Sequence, residues 1–376
     1  MLKKLSLAAI IAASGVSFAS ATPLTEAIKN VDLSGMLRIR FYNENPKKAT
    51  SYNRWRTSSD FKFTVPVSEE LKVVAKYGIE GSVYSNSSNL GPKASTVDPS
   101  INENFLFLNY SANGVNAILG KIPVATSITG SGHGEAHGAG LIASYKVNDM
   151  FTVAGAYVDA VKDVDQVPNK ATGLDLYALA GMFNIDMVKG NVWYYTSTKN
   201  GIKNIFTISA SVSPIENLKV NADYAAGKLD YSGAKVHTYF NIAAKYSMDA
   251  FCAKIGYATT NKKGDLVVLD NDSPIAAVIP TANNYAIANK LDTTAVYGKI
   301  GYMVDPKTSV YFAAQYQNAG KNSGNAKNDL NEYTIGAKYK YNKKLGFNVY
   351  YDIADWKKGA DNLDNNEFRF EAKYTF

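Results

Sequence analysis

Arginine is scarce in this chain, and where it falls is the first chemical signal. Only five occur: Arg38, Arg40, Arg54, Arg56 and Arg369. Arg38 and Arg40 are two residues apart, as are Arg54 and Arg56, a spacing that puts each pair on one face of an extended strand. A guanidinium is always charged and holds a fixed fork of donors. Arginines gathered on one wall of a passage, facing carboxylates, would set a transverse field and screen solutes by charge and dipole. The structural alternative is a seam of salt bridges to Glu367 and Glu371.

The second candidate is the stretch 122–138, rooted at Lys121 and carrying His133, Glu135 and His137. Its glycines supply conformations that let a loop fold compactly. Glu135 is expected to face the arginines, with Lys121 lining the same passage. The order His-Gly-Glu-Ala-His is not the zinc-hydrolase motif, and four glycines in the stretch oppose a helix. His133, Glu135 and His137 remain weak candidates for a loosely held metal. Gly130–Ser131–Gly132 lacks the complete dinucleotide fingerprint, and no catalytic motif surrounds His237. Asp265, Asp270 and Asp272 offer oxygen ligands, but not at EF-hand spacing. No catalytic residue is assigned, and the chain is read as a non-enzyme.

The elements that position these residues are strands. From Glu367 to Phe376 alternation is unbroken, with Phe368, Phe370, Ala372, Tyr374 and Phe376 on one face and Glu367, Arg369, Glu371 and Lys373 on the other. Leu345–Ala354 and Tyr333–Tyr341 repeat the pattern. Short links such as Asn113–Gly114, Pro214–Asn217 and Asp305–Lys307 alternate along the chain with long loops such as 122–138 and 261–292. Asn-Gly favours a two-residue hairpin turn. Short turns on one rim and long loops on the other are the layout of an outer-membrane barrel.

The expected fold is all-β: one transmembrane antiparallel barrel with about eighteen strands, sixteen being the alternative count where 101–122 and 140–160 are less regular. Hydrocarbon tolerates no open sheet edge, so the last strand must pair with the first. Closure then brings Arg369 beside Arg38 and Arg40, and alternation turns these three inward. Leu33, Leu37, Ile39 and Phe41 face lipid. Trp55 and Trp356, near loop-side strand ends, are assigned to an aromatic girdle. The apolar run Pro274–Pro280 is expected to pack at the barrel mouth or against a neighbour.

Composition agrees. The chain has 376 residues with mean hydropathy −0.18, and no apolar run after the N-terminus is long enough for a membrane helix. Forty basic against 33 acidic residues give +7, too mild an excess for a nucleic-acid-binding tail. Residues 1–21 have a basic start, an apolar stretch and the small-residue ending Ala19–Ser20–Ala21, so they are read as a removed secretory signal before a single barrel domain, 22–376. A lone cysteine, Cys252, excludes an internal disulfide.

The segment Thr22–Phe41, the Leu119–Gly120–Lys121 step and the ending Phe–x–Ala–Lys–Tyr–x–Phe resemble the Campylobacter-type (epsilonproteobacterial) major outer membrane protein. That resemblance implies an 18-stranded homotrimeric porin in the bacterial outer membrane, among its lipid and lipopolysaccharide. It also implies recognition of the terminal Phe376 by the barrel-assembly machinery, and in some members calcium at the constriction. Here Glu135 is the one acidic residue in the third loop, a departure from such a site. The expected function is a water-filled channel for passive diffusion of ions and small hydrophilic solutes. The rival is a surface adhesin or ligand-binding barrel acting through its external loops.

Overall fold

The computed structural model describes residues 30–85, 95–130, 135–162, 164, 166, 173–198, 201–283, 285–320, 329–357 and 364–376. The signal segment 1–21 and His133 lie outside these. Eighteen strands follow one another: β1 (Asp32–Pro46), β2 (Tyr52–Pro66), β3 (Leu71–Ser85), β4 (Ser95–Ala112), β5 (Val115–Pro123), β6 (His137–Lys146), β7 (Phe151–Lys162), β8 (Leu174–Ile185) and β9 (Val188–Thr196), then β10 (Ile202–Ile215), β11 (Leu218–Leu229), β12 (His237–Met248), β13 (Phe251–Thr260), β14 (Thr293–Met303), β15 (Thr308–Ala319), β16 (Leu330–Lys340), β17 (Leu345–Trp356) and β18 (Asn365–Thr375). Each pairs antiparallel with the next, and β1 pairs with both β2 and β18, so the sheet closes on itself.

Closure is sealed by a reciprocal pair in which the Gly35 amide donates to the Phe376 carbonyl at 3.0 Å and the Phe376 amide to the Gly35 carbonyl at 3.2 Å. The seam leaves no unpaired edge where each orphaned backbone group would cost several kcal/mol. Outside, Leu33, Leu37, Ile39, Tyr351 and Ile353 are exposed, whereas their alternates Met36, Tyr42, Tyr350 and Asp352 are buried inside. That is the inverse of a soluble protein and the sign of a lipid-facing surface.

The turn Asn113–Gly114 has φ of 51° and 78°, the left-handed geometry its sequence favours. Irregularity in 101–122 and 140–160 has a local cause. Register shifts fall at Lys76/Tyr77, Glu80/Ser82, His137/Ala139 and Val158/Val161, and each changes the phase of the alternation. Gly120 adds to it with φ 135°, and a Cβ there would meet the Leu106 carbonyl oxygen at 2.7 Å.

Numbering the loops on the long-loop rim L1 to L9, L3 spans 124–136 and L7 spans 261–292. The main apolar core sits inside the barrel, made by these two loops. Val124, Ile128 and Ala136 of L3 and Leu266–Leu269, Ile275, Ile279 and Ile287 of L7 are 0–3% exposed, packed on Leu176, Tyr195, Ile205, Tyr239 and Ala258 of the wall. Each fully buried side chain of this size contributes roughly 1.5–3 kcal/mol. L7 therefore does not stop at the mouth, as its apolar run suggested; it enters the lumen.

Candidate pore constriction

The arginines come together on one stretch of wall. In register, Arg40 lies opposite Arg56 on β2 and Glu371 on β18, and Tyr42 lies opposite Arg54 and Arg369. Tyr42 is the hub. Its ring lies 4.2 Å from the Arg54 guanidinium and 4.3 Å from that of Arg369, a cation–π contact on each side.

Carboxylates stand beside the arginines on the same wall. Arg40 Nε lies 2.5 Å from Glu371, Arg54 Nη2 3.1 Å from Glu44, Arg56 Nη2 2.5 Å from Glu80, and Arg369 Nη2 2.8 Å from Glu367. Arg38 differs: its Nε donates to Ser58 Oγ at 3.0 Å, and it makes no ion pair among the described residues. The seam-stabilising pairs and the lumen wall are thus the same residues. These side chains keep contact with water, at 20% exposure for Arg40, 23% for Arg54, 32% for Arg56 and 19% for Arg369.

Glu135 does not meet this cluster. It lies 2.7 Å from Lys76 on β3, which is also 3.5 Å from Asp60. Lys121 is a clearer departure from the sequence reading, because it points out of the barrel. Its register partners are Leu106 and Ala139, on the face that carries the exposed Leu119 and Leu141, and its Nζ lies 3.5 Å from Glu103 there. Trp55 is on the outer face, but Trp356 faces inward, 6% exposed, with its ring 5.1 Å from that of Tyr285 in L7.

L7, which sequence reasoning left at the mouth, is fastened to the wall at several points. Thr281 Oγ1 donates to Glu332 at 2.7 Å, the Asn283 amide to Glu332 at 3.0 Å, and Asn283 Nδ2 to Asp352 at 2.7 Å. Lys254 Nζ donates to the Val278 carbonyl at 2.6 Å, and His237 Nε2 lies 2.7 Å from the Ala288 carbonyl. L3 is held by Ser127, whose hydroxyl lies 2.7 Å from both Tyr195 and Thr207. The two loops join where the Leu269 amide donates to the Ile128 carbonyl at 2.9 Å.

Asp270 accepts the amides of Gly130 and Asp272 at 3.1 and 2.8 Å, and Asp265 accepts Tyr231 OH at 2.6 Å. His137 Nδ1 lies 3.3 Å from the Glu135 carbonyl. Among the described residues no three His, Cys, Asp or Glu side chains gather as a metal site.

The barrel has counterparts among solved structures. Pseudomonas aeruginosa OccK5 (OpdH) is 11% identical with a TM-score of 0.73, over 93% of this chain and 98% of that one. Acinetobacter baumannii OccAB1 is 12% identical with a TM-score of 0.74, over 93% and 97%. Pseudomonas aeruginosa OpdQ is 11% identical with a TM-score of 0.72, over 92% and 99%. At these identities the likeness is one of fold. No curated protein sequence matches the chain. A profile of the Campylobacter major outer membrane protein family, however, matches residues 1–376, from first to last, and the chain belongs to that family.

Proposed function

We propose that this outer-membrane porin passes ions and small hydrophilic solutes by passive diffusion through water that runs along the arginine wall. The carrying observation is a contrast of exposure inside the barrel. Under L7 the wall residues Glu332 and Asp352 are 0% exposed, whereas the arginine side chains of β1, β2 and β18 keep 19–32% of their surface. L3 and L7 fill one side of the lumen and the charged wall borders the other. Solutes cross without a chemical step, and selection follows from the gap width and the local field.

A trimer of such barrels, with lipid and lipopolysaccharide around it and assembly directed by Phe376, extends this reading. The loop-borne adhesin alternative has no comparable support, since L3 and L7 turn inward. Single-channel recording in a planar bilayer tests the proposal. Stepwise conductance, in threes for a trimer, is expected. A correctly inserted, heat-modifiable barrel that passes no current would overturn it.

A further inference from the structure

The geometry points to a binding track for multiply charged oxyanions on the lumen wall opposite in character to the arginine wall. Lys219 on β11 is the register partner of Lys245 on β12, Lys245 of Lys254 on β13, and Lys254 of Lys299 on β14. Four lysine positions thus stand side by side on four consecutive strands, which are spaced about 4.8 Å apart. All four face inward, because their neighbours two residues along, Ala243, Gly256 and Tyr297, are buried while Tyr246, Ile255 and Ile300 of the other face are exposed.

Like charges placed directly opposite destabilise a sheet. The arginine wall avoids this by pairing four of its five guanidiniums with carboxylates. Among the described residues, the four lysines make no ion pair at all. Lys254 is bonded to the Val278 carbonyl of L7 at 2.6 Å, and Lys299 lies 4.1 Å from the Tyr311 ring, which Lys338 on β16 approaches from 5.7 Å. The nearby carboxylate, Asp223, accepts Asn241 Nδ2 at 2.9 Å and, among the described residues, makes no ion pair with the row. Lys219 and Lys245 are exposed to the lumen, close to the short-turn, periplasmic ends of their strands.

The row therefore runs from Lys299, past Lys254 where L7 meets the wall, to Lys245 and Lys219 near the periplasmic mouth. A di- or trianion reaching it can bridge two adjacent ammonium groups, whereas a monoanion meets one at a time. The chemical class is a polycarboxylate or polyphosphate, recognised by charge-assisted hydrogen bonds from lysine. This rests on the passive-channel reading and deepens it: the unpaired lysines, more than the neutralised arginines, give the lumen its affinity for anions.

The test is single-channel recording of the full-length protein in potassium chloride, with citrate or inorganic pyrophosphate added to the short-turn side and acetate as the monovalent control. Wild type is expected to show concentration-dependent current block by one or both multivalent probes and none by acetate. Citrate block alone assigns the track to carboxylates, pyrophosphate block alone to phosphates. Lys219→Gln with Lys245→Gln should weaken the block roughly tenfold or more, and the Lys245→Arg variant should retain it. Lys146→Gln, at the same rim but bonded to Asp149, should block as wild type does. Current without block by either probe, or block unchanged in the double glutamine variant and reproduced by acetate, overturns the track while leaving the channel intact. Absence of current in potassium chloride defeats the channel reading itself.

Discussion

Lys76 Nζ lies 2.7 Å from Glu135 Oε1, an ion pair that fastens the root of L3 to β3 across 59 positions of sequence. Both side chains are mostly buried, at 11% and 15% exposure, so the contact is not a surface pair that water would screen away. Glu135→Gln should destabilise the closed position of the root by about 1–3 kcal/mol. Hydrogen exchange at the Val124 amide, which bonds the Ala136 carbonyl at 2.7 Å, should accelerate. The L3 tip should stay protected, because Ser127 keeps Tyr195 and Thr207. Equal acceleration at root and tip would show that L3 is not held by these separate anchors.

The fastening of L7 makes a prediction about gating noise. Asn283 supplies its backbone amide to Glu332 and its side chain to Asp352, and Thr281 supplies a hydroxyl to Glu332. Asn283→Ala and Thr281→Ala each leave a fully buried carboxylate short of a donor, a loss of about 1–3 kcal/mol. Single-channel traces of either variant should show more frequent transitions between conductance levels than wild type. Quiet traces at unchanged conductance would mean that the apolar packing of Ile275 and Ile279, with the Lys254 and His237 anchors, holds the loop without these bonds.

Sequence alone carried the barrel and its seam, because alternation is a property of one strand and can be read along it. Phe368 to Phe376 placed outward, and Arg369 and Glu371 inward, agree with the register of β18 against β1. The inward turn of Trp356 was legible by the same rule, since it is out of phase with Tyr351 and Ile353; its nearness to a loop end concealed this. Lys121 was legible by the same rule, since it is in phase with the exposed Leu119 and β5 carries no register shift against its neighbours; its place at the root of the third loop concealed this. The lysine row was invisible for a different reason. Its four members lie on four strands, and only the register between strands makes them neighbours. L7 gave one signal that was underused: Leu266–Leu269 and Pro274–Pro280 are too apolar for a loop in water.

Raising the pH should tighten L7. Lys290 is held under the loop with Nζ 2.7 Å from Gln317 Oε1 and 5.1 Å from the Trp356 ring. Burial pushes its ammonium down from 10.5 to about 8, with Glu332 opposing the shift. In the undocked loop the amine binds its proton up to the higher value, so between about pH 8 and 10.5 the undocked form carries more protons. Docking is therefore weakest below pH 8 and gains stability as pH rises through that window. Transition noise should fall across it in wild type. Lys290→Met, which has no proton to lose, should give a flatter profile; an identical slope in both would assign the effect to other groups.

The two kinds of arginine predict different consequences for ion selectivity. Arg40 and Glu371 lie 2.5 Å apart, so seen from the lumen they act as a dipole with no net charge. Replacing both, as Arg40→Gln with Glu371→Gln, removes equal and opposite charges and should leave the reversal potential in a salt gradient close to that of wild type. Arg38 is hydrogen-bonded to Ser58 and makes no ion pair among the described residues, and it lies opposite Lys373 in the register. Its charge is uncompensated locally, so Arg38→Gln should shift the reversal potential toward cation preference. Glu80→Gln, which frees the Arg56 charge from its partner at 2.5 Å, should shift it the other way. Opposite signs for Arg38→Gln and Glu80→Gln, with the double replacement between them, would place the filter on this wall. Three identical reversal potentials would remove the wall from ion selection and leave it as the bond that closes β18 onto β1.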